Sequence, residues 1–214
     1  MITCPSCVRT QPLALVCAGC GAPIGASVDL FAALNLPRRL TIDPEALERA
    51  YHNLSRRIHP DRFGSASVRI RDASLRATAL LTRAYRTLRD PAARGRYWLE
   101  LYGHKLGDDN QRVPANLAAL VFETQERLEA LRAERTPGNL AAARARREEV
   151  ARALDAAGLE LAENFARWDA DGVAAAGGEH AARFAELKAI LSKIAYLTTL
   201  HRDIDRELET ARAA

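Results

Sequence analysis

Four cysteines in the first twenty residues form two C-x-x-C pairs, Cys4-Pro-Ser-Cys7 and Cys17-Ala-Gly-Cys20. Paired knuckles of this kind bring four thiolates to one point, the donor set of a tetrahedral metal site. Zn²⁺ accepts four sulfurs without redox demands, so structural zinc is the expectation and iron or an iron–sulfur cluster the alternative. Disulfides are disfavoured in a reducing compartment, and a thioredoxin-type dithiol needs a strand–helix context that is absent. Gly19 and Gly21 permit a tight backbone around the second pair. Residues 1–27 bury too little to fold alone, so metal is the expected source of the head's stability.

His59 and Asp61, flanking Pro60, are the second place where side chains could act. A His/Asp catalytic pair needs a nucleophile or a pocket, and the surrounding sequence offers neither. An ordinary polar turn and a recognition tip are the other readings. The segment leading into the turn bears on the choice. Leu47, Ala50, Tyr51, Leu54 and Ile58 recur on one helix face, while Arg49, His52, Asn53 and Arg56 fall on the opposite one. Asp43-Pro44 supplies an N-cap and a first-turn proline, and Pro60 ends the helix by pushing His59 out of the helical region. The spacing therefore predicts a basic amphipathic helix over 44–59 that displays His59 and Asp61 at its tip.

Other elements follow from the same periodicity. Residues 28–36 read as a short helix, and 70–89 as a long one whose Ala77, Leu80, Leu81, Ala84, Tyr85 and Leu88 share a face. The 44–59 and 70–89 helices should pack antiparallel. A further helix over 91–102, closed by Gly103, gathers Tyr97, Trp98, Leu101 and Tyr102, with packing the expected role of these groups. Asp108 to Gln111 reads as a loop before Pro114. Three more helical segments follow: 116–134, one beginning near Asn139 after Thr136-Pro137-Gly138, and a last one after the small residues 172–178. Leu117, Leu120, Val121, Thr124, Leu128 and Leu131 mark the first stripe. Val150, Leu154, Ala157, Leu161, Phe165 and Trp168 mark the second, behind an Ala/Arg/Glu-rich stretch at 141–149. Leu187, Ile190, Ile194, Leu197, His201, Ile204 and Leu208 mark the third. The expectation is an all-α fold, with a helical hairpin and an antiparallel three-helix bundle behind a small metal-knuckle head. The segments are 1–27, 28–103, a linker at 104–113, and 114–214. His201 lacks a second ligand at suitable spacing and reads as a bundle-edge histidine.

Phe122 breaks the bundle pattern. It lies across its helix from the buried stripe, among Ala118, Ala119, Gln125 and Glu126. Either this is an anchor patch for a partner, or Phe122 packs on the preceding helical domain.

Composition bounds the rest. The 214 residues are 48% hydrophobic and carry a formal net charge of +4. That mild basicity fits an acidic protein partner and is too weak to argue for nucleic acid; the segment between the knuckles carries one charge. No apolar run approaches the ~20 residues needed to span a bilayer, and the first residues lack a signal-peptide pattern. A cytoplasmic protein with no membrane contact is the expectation.

The ordered pieces carry a resemblance. Asp29-Leu-Phe-Ala-Ala-Leu34, the basic helix, His59-Pro60-Asp61, and Ala84-Tyr85-x-x-Leu88-x-Asp90-Pro91-x-x-Arg94-x-x-Tyr97 resemble a J-domain, the module that activates ATPase chaperones of the DnaK/HscA type. The resemblance implies that His59, Pro60 and Asp61, with Arg49, Arg56, Arg57 and Arg62, dock on such a chaperone and trigger its ATP hydrolysis, with no catalytic residue in this chain. With the cysteine head, the short bundle and Arg94-Gly-Arg-Tyr-Trp-Leu99, nearly the whole chain resembles the HscB-type co-chaperones of iron–sulfur cluster assembly, in the branch with a tetracysteine head. This implies that the bundle binds the iron–sulfur scaffold protein, at Phe122, Ala118, Ala119, Gln125 and Glu126 with a second piece near Ile190. Arg62 stands where Lys is usual. Alanines and Gln125 stand where larger apolar and basic groups are common, which leaves Phe122 as the main anchor. A general J-domain co-chaperone whose zinc head binds unfolded clients is the alternative.

Overall fold

Three of the helices start after short polar residues, Asp29, Asp43 and Ser67, and each stops beside a left-handed residue or just before a proline. The computed structural model describes residues 1–26, 28–106, 117–171 and 178–213. It divides into two units, Met1–Tyr97 and Trp98–Ala214, so the division falls within a helix.

In the first unit, α1 is only Leu30–Ala33. Asp29 Oδ1 accepts from the backbone N–H of Phe31 and of Ala32, both at 3.0 Å. Asn35 then turns left-handed with φ 55°, which stops the apolar run 28–36 from continuing as helix. Helix α2 is Pro44–Ile58, with Asp43 capping the Glu45 N–H at 3.0 Å. A 3₁₀ turn over Pro60–Phe63 leads to α3, Val68–Arg89, and α4, Pro91–Leu101. Helices α2 and α3 run antiparallel: the end of α2 meets the start of α3, where Ser74 Oγ donates to Ile58 O at 2.6 Å. At the other end Tyr51 stacks on Tyr85 at 4.3 Å. Leu47, Leu54 and Ile58 bury against Ala73, Ala77, Leu81, Ala84 and Leu88. Each such large side chain contributes roughly 1.5–3 kcal/mol. The alanines of α3 also admit α1, whose Phe31 is fully buried.

The head holds the only strands among the described residues. Strand β1 (Ile2–Thr3) pairs antiparallel with β2 (Thr10–Gln11), and Val16 bridges Pro23. Gly25, at φ 63°, presses onto α3, where an added Cβ would lie 2.9 Å from Ala73 O.

The second unit holds α5 (Ala118–Ala133), α6 (Pro137–Asp171) and α7 (Gly178–Ala213). Cross-links Arg147–Asp205, Glu160–Lys193 (2.8 Å) and Arg167–Glu186 (2.5 Å) step forward along α6 and backward along α7, as an antiparallel pair requires. Leu117, Leu128, Val150, Ala157, Leu197 and Ile204 share the bundle core. Fully buried Ala143 lets α6 approach closely within its Ala/Arg/Glu-rich start, while Arg146 there pairs with Glu123 of α5 at 2.8 Å. Trp98, Trp168 and Phe184 form an aromatic cluster, with ring separations of 6.1 Å and 4.9 Å. His201 lies at the bundle edge, Nδ1 3.2 Å from Asp205. The expected linker beyond 106, the 108–111 loop, Pro114, the helix onset at Asn116 and the 172–177 turn lie outside the described residues. No helix among those described is long and apolar enough to cross a membrane.

Candidate functional site

The two knuckles close on each other by a repeated local plan. Cys4 N–H donates to Arg9 O at 2.9 Å and Cys17 N–H to Ala22 O at 2.9 Å, so each C-x-x-C caps a small hairpin. The residue after the second cysteine is left-handed in both: Val8 at φ 59° and Gly21 at φ 74°. The four sulfurs lie within 4.8 Å of one another. Cys4 and Cys20 approach to 3.6 Å, as do Cys7 and Cys17. A tetrahedron of sulfurs at a Zn–S distance of about 2.3 Å has edges of about 3.8 Å, so these side chains fit a four-sulfur metal site. Backbone N–H groups are already aimed at the sulfurs: Ser6 N to Cys4 Sγ at 3.4 Å and Gly19 N to Cys17 Sγ at 3.4 Å. The Cys20 and Gly19 backbone N–H groups bring Cys17 down to about 6. The Ala22 N–H lowers Cys20. The Arg9 N–H pulls Cys7 the same way, but Cys20, burial and the remaining thiols outweigh it and push Cys7 up to about 11. Such a cluster gathers negative charge that a cation would relieve.

Gln11 welds the knuckles together, an arrangement the cysteine spacing did not reveal. Its side chain is buried, with Nε2 donating to Val16 O at 3.3 Å and Oε1 accepting from Ala18 N at 2.9 Å.

At the tip of α2, His59 caps the 3₁₀ turn: its Nδ1 accepts from Asp61 N–H at 3.3 Å and lies 3.4 Å from Asp61 Oδ2. Both side chains face solvent, Asp61 being 89% exposed. The tip is held from behind. Ser74 and, at 3.4 Å, Thr78 donate to Ile58 O, Arg62 Nη1 donates to Arg56 O at 3.1 Å, and Arg71 Nη1 donates to Ala66 O at 2.9 Å. Ser74 and Thr78 escaped the sequence reading; small polar residues on an otherwise apolar helix face were the available signal. Arg49 is engaged by Glu45 at 3.2 Å and Asp43 at 3.6 Å. Arg56 and Arg57 have no carboxylate partner among the described residues, so the unneutralised positive charge gathers next to His59.

On α5, Ala118, Ala119, Phe122, Gln125 and Glu126 are all exposed, Phe122 by 65%. Ile190 differs: it is 8% exposed, because it occupies a core-facing step of the α7 stripe. The surface is therefore made by α5.

No family model matches the chain. It is similar to two curated co-chaperone protein HscB homologs. The one from Aromatoleum aromaticum is 37% identical over 110 residues, 51% of this chain and 61% of that protein. The one from Bordetella pertussis is 36% identical over 125 residues, 58% of this chain and 72% of that protein. Among solved structures, human co-chaperone protein HscB superposes with a TM-score of 0.72 at 22% identity, covering 95% of this chain and 97% of that one. Chaperone HscB from Vibrio cholerae gives 0.61 at 24% identity, covering 84% and 96%. These two likenesses speak for the fold. Sequence identity over nearly three quarters of the Bordetella protein speaks for descent: the chain belongs to the HscB co-chaperone family.

Proposed function

We propose that the protein is a two-ended adaptor of iron–sulfur cluster assembly. One end, His59, Pro60 and Asp61 with Arg49, Arg56, Arg57 and Arg62, docks on a DnaK/HscA-type chaperone and stimulates its ATPase. The other, Phe122 with Ala118, Ala119, Gln125 and Glu126, holds the iron–sulfur scaffold protein. The observation that carries this reading is the α2 tip: two exposed side chains, His59 and Asp61, on a turn anchored from behind by buried Ser74, beside Arg56 and Arg57, which have no carboxylate partner among the described residues. A charge-steered contact of this kind weakens as salt rises. We further assign Zn²⁺ to Cys4, Cys7, Cys17 and Cys20, because a closed four-sulfur site leaves no open position for chemistry; the ion's contribution is to hold the head folded. The protein works in the cytoplasm, away from membranes and nucleic acid.

The test is a reconstitution with a DnaK/HscA-type chaperone, ATP and an iron–sulfur scaffold. The protein should accelerate ATP hydrolysis, and Asp61→Ala should abolish the acceleration while leaving the helical signal intact. A variant that still stimulates like the parent would sink the tip assignment.

A further inference from the structure

Where the head meets the end of α2 there is an open groove of about 310 Å³. Pro12, Ala14 and Val16 line one side; Ala33, Leu54 and Arg57 line the other. The amide of Gln11 is consumed inside the head, so the charge of the groove comes from Arg57, exposed and two residues before His59. Leu13, which stands in sequence between the lining residues Pro12 and Ala14, is a large apolar group that is 53% exposed.

We propose that this groove prolongs the chaperone-docking face and takes an extended, acidic and partly apolar segment of the same ATPase chaperone that the α2 tip engages. The proposal rests on the docking role of that tip. Charge selects the occupant: the Arg57 guanidinium, with Arg56 and Arg62 nearby in sequence, favours carboxylates and repels a cationic chain. Apolar walls and Leu13 cover the segment's apolar side chains. Continuity selects the position, since exposed Arg57 lines the groove and lies two residues before His59 at the end of α2. The head then contributes to docking as the groove's second wall, held in place by its metal knuckles and by Gln11.

The test measures how much protein gives half-maximal stimulation of a DnaK/HscA-type chaperone's ATPase, using the full chain with metal content and helical signal checked. Ala14→Glu should raise that concentration at least fivefold, while Ala14→Lys leaves it within twofold or lowers it; maximal stimulation should be unchanged in both. Leu13→Glu and Leu13→Lys, at a position more than half exposed, should split the same way and decide the matter if the Ala14 variants lose metal. Glu and Lys variants that behave alike overturn the groove. Asp61→Ala separates the two failures. If it abolishes stimulation while the charge variants do not split, the groove alone is wrong. If it stimulates like the parent, the tip reading fails and the groove with it.

Discussion

Phe122→Ala removes a side chain that the bundle itself hardly uses. Burying a phenylalanine fully is worth roughly 1.5–3 kcal/mol. With 65% of Phe122 exposed, only about a third of that supports the fold, so the variant should lose roughly 0.5–1 kcal/mol of stability. The larger share, roughly 1–2 kcal/mol, is available to whatever covers the ring. Calorimetric titration of an iron–sulfur scaffold protein should therefore show a Kd about 5–30-fold weaker for the variant. Urea denaturation of both proteins alongside would show the small loss of stability. The neighbouring Ala118 and Ala119 have little side chain to add, so the ring is the patch's main apolar contact. A Kd within twofold of the parent would refute the α5 patch. A loss of several kcal/mol of stability would refute the claim that Phe122 is idle in the fold.

Three further outcomes are expected. Val8 holds a left-handed backbone, φ 59°, at a cost of roughly 1–2 kcal/mol for a branched residue, while its counterpart Gly21 adopts φ 74° without that cost. Glycine loses roughly 0.5–1 kcal/mol more backbone entropy on ordering, which offsets part of that relief, so Val8→Gly should tighten metal binding about two- to fivefold in a chelator competition, and Gly21→Val should weaken it. Stripping metal with a chelator should raise amide hydrogen exchange in residues 1–24 and leave α2 and α3 protected, since those helices carry their own core; unchanged exchange in the head would argue against a structural metal. Burial alone would raise the Asp29 carboxyl, but the Ala32 and Phe31 N–H groups and Arg38 (2.7 Å) outweigh it and hold it below its ordinary value. Its contribution is complete above that ordinary value and is lost as pH falls through the lowered one. Asp29→Ala should accordingly cost about 1 kcal/mol near neutrality, with the gap closing in acid, as read by denaturation at several pH values.

What could be read from the chain depended on whether the controlling interactions were local. Helix α2 was legible to within a residue, because Asp43-Pro44 and Pro60 act on their immediate neighbours. Helix α1 was not: Val28 to Leu36 keeps an apolar rhythm past the point where Asn35 turns left-handed, and nothing in the rhythm announces that turn. The exposure of Phe122 was legible since helical geometry alone puts it across from Thr124, Leu128 and Leu131, all buried. The burial of Ile190 was equally legible from its place in the α7 stripe, and the family resemblance set that signal aside. Val8 hid its strain because valine is among the last residues expected at positive φ; only the equivalence of the knuckles explains it. Ser74 and Thr78 stayed silent because their role depends on α3 meeting the last carbonyl of α2.

The two proposed docking surfaces share a physical design. At the α2 tip, the anchoring bonds run to backbone carbonyls: Ile58 O takes Ser74, Arg56 O takes Arg62, and Ala66 O takes Arg71. The turn is thereby fixed without spending Asp61's carboxylate on an arginine or lysine among the described residues, and Asp61 remains 89% exposed. On α5, Thr124 turns back to Leu120 O at 2.6 Å and Glu123 reaches Arg146, so the residues beside Phe122 are occupied while its ring stays outside. A surface held this way gives up little conformational entropy when it is covered, so most of the contact energy can appear as affinity. It also means that mutations behind each surface and mutations on it should differ in kind. Loss of Ser74 or Arg146 would loosen the presentation of a site, whereas loss of Asp61 or Phe122 would remove the contact itself.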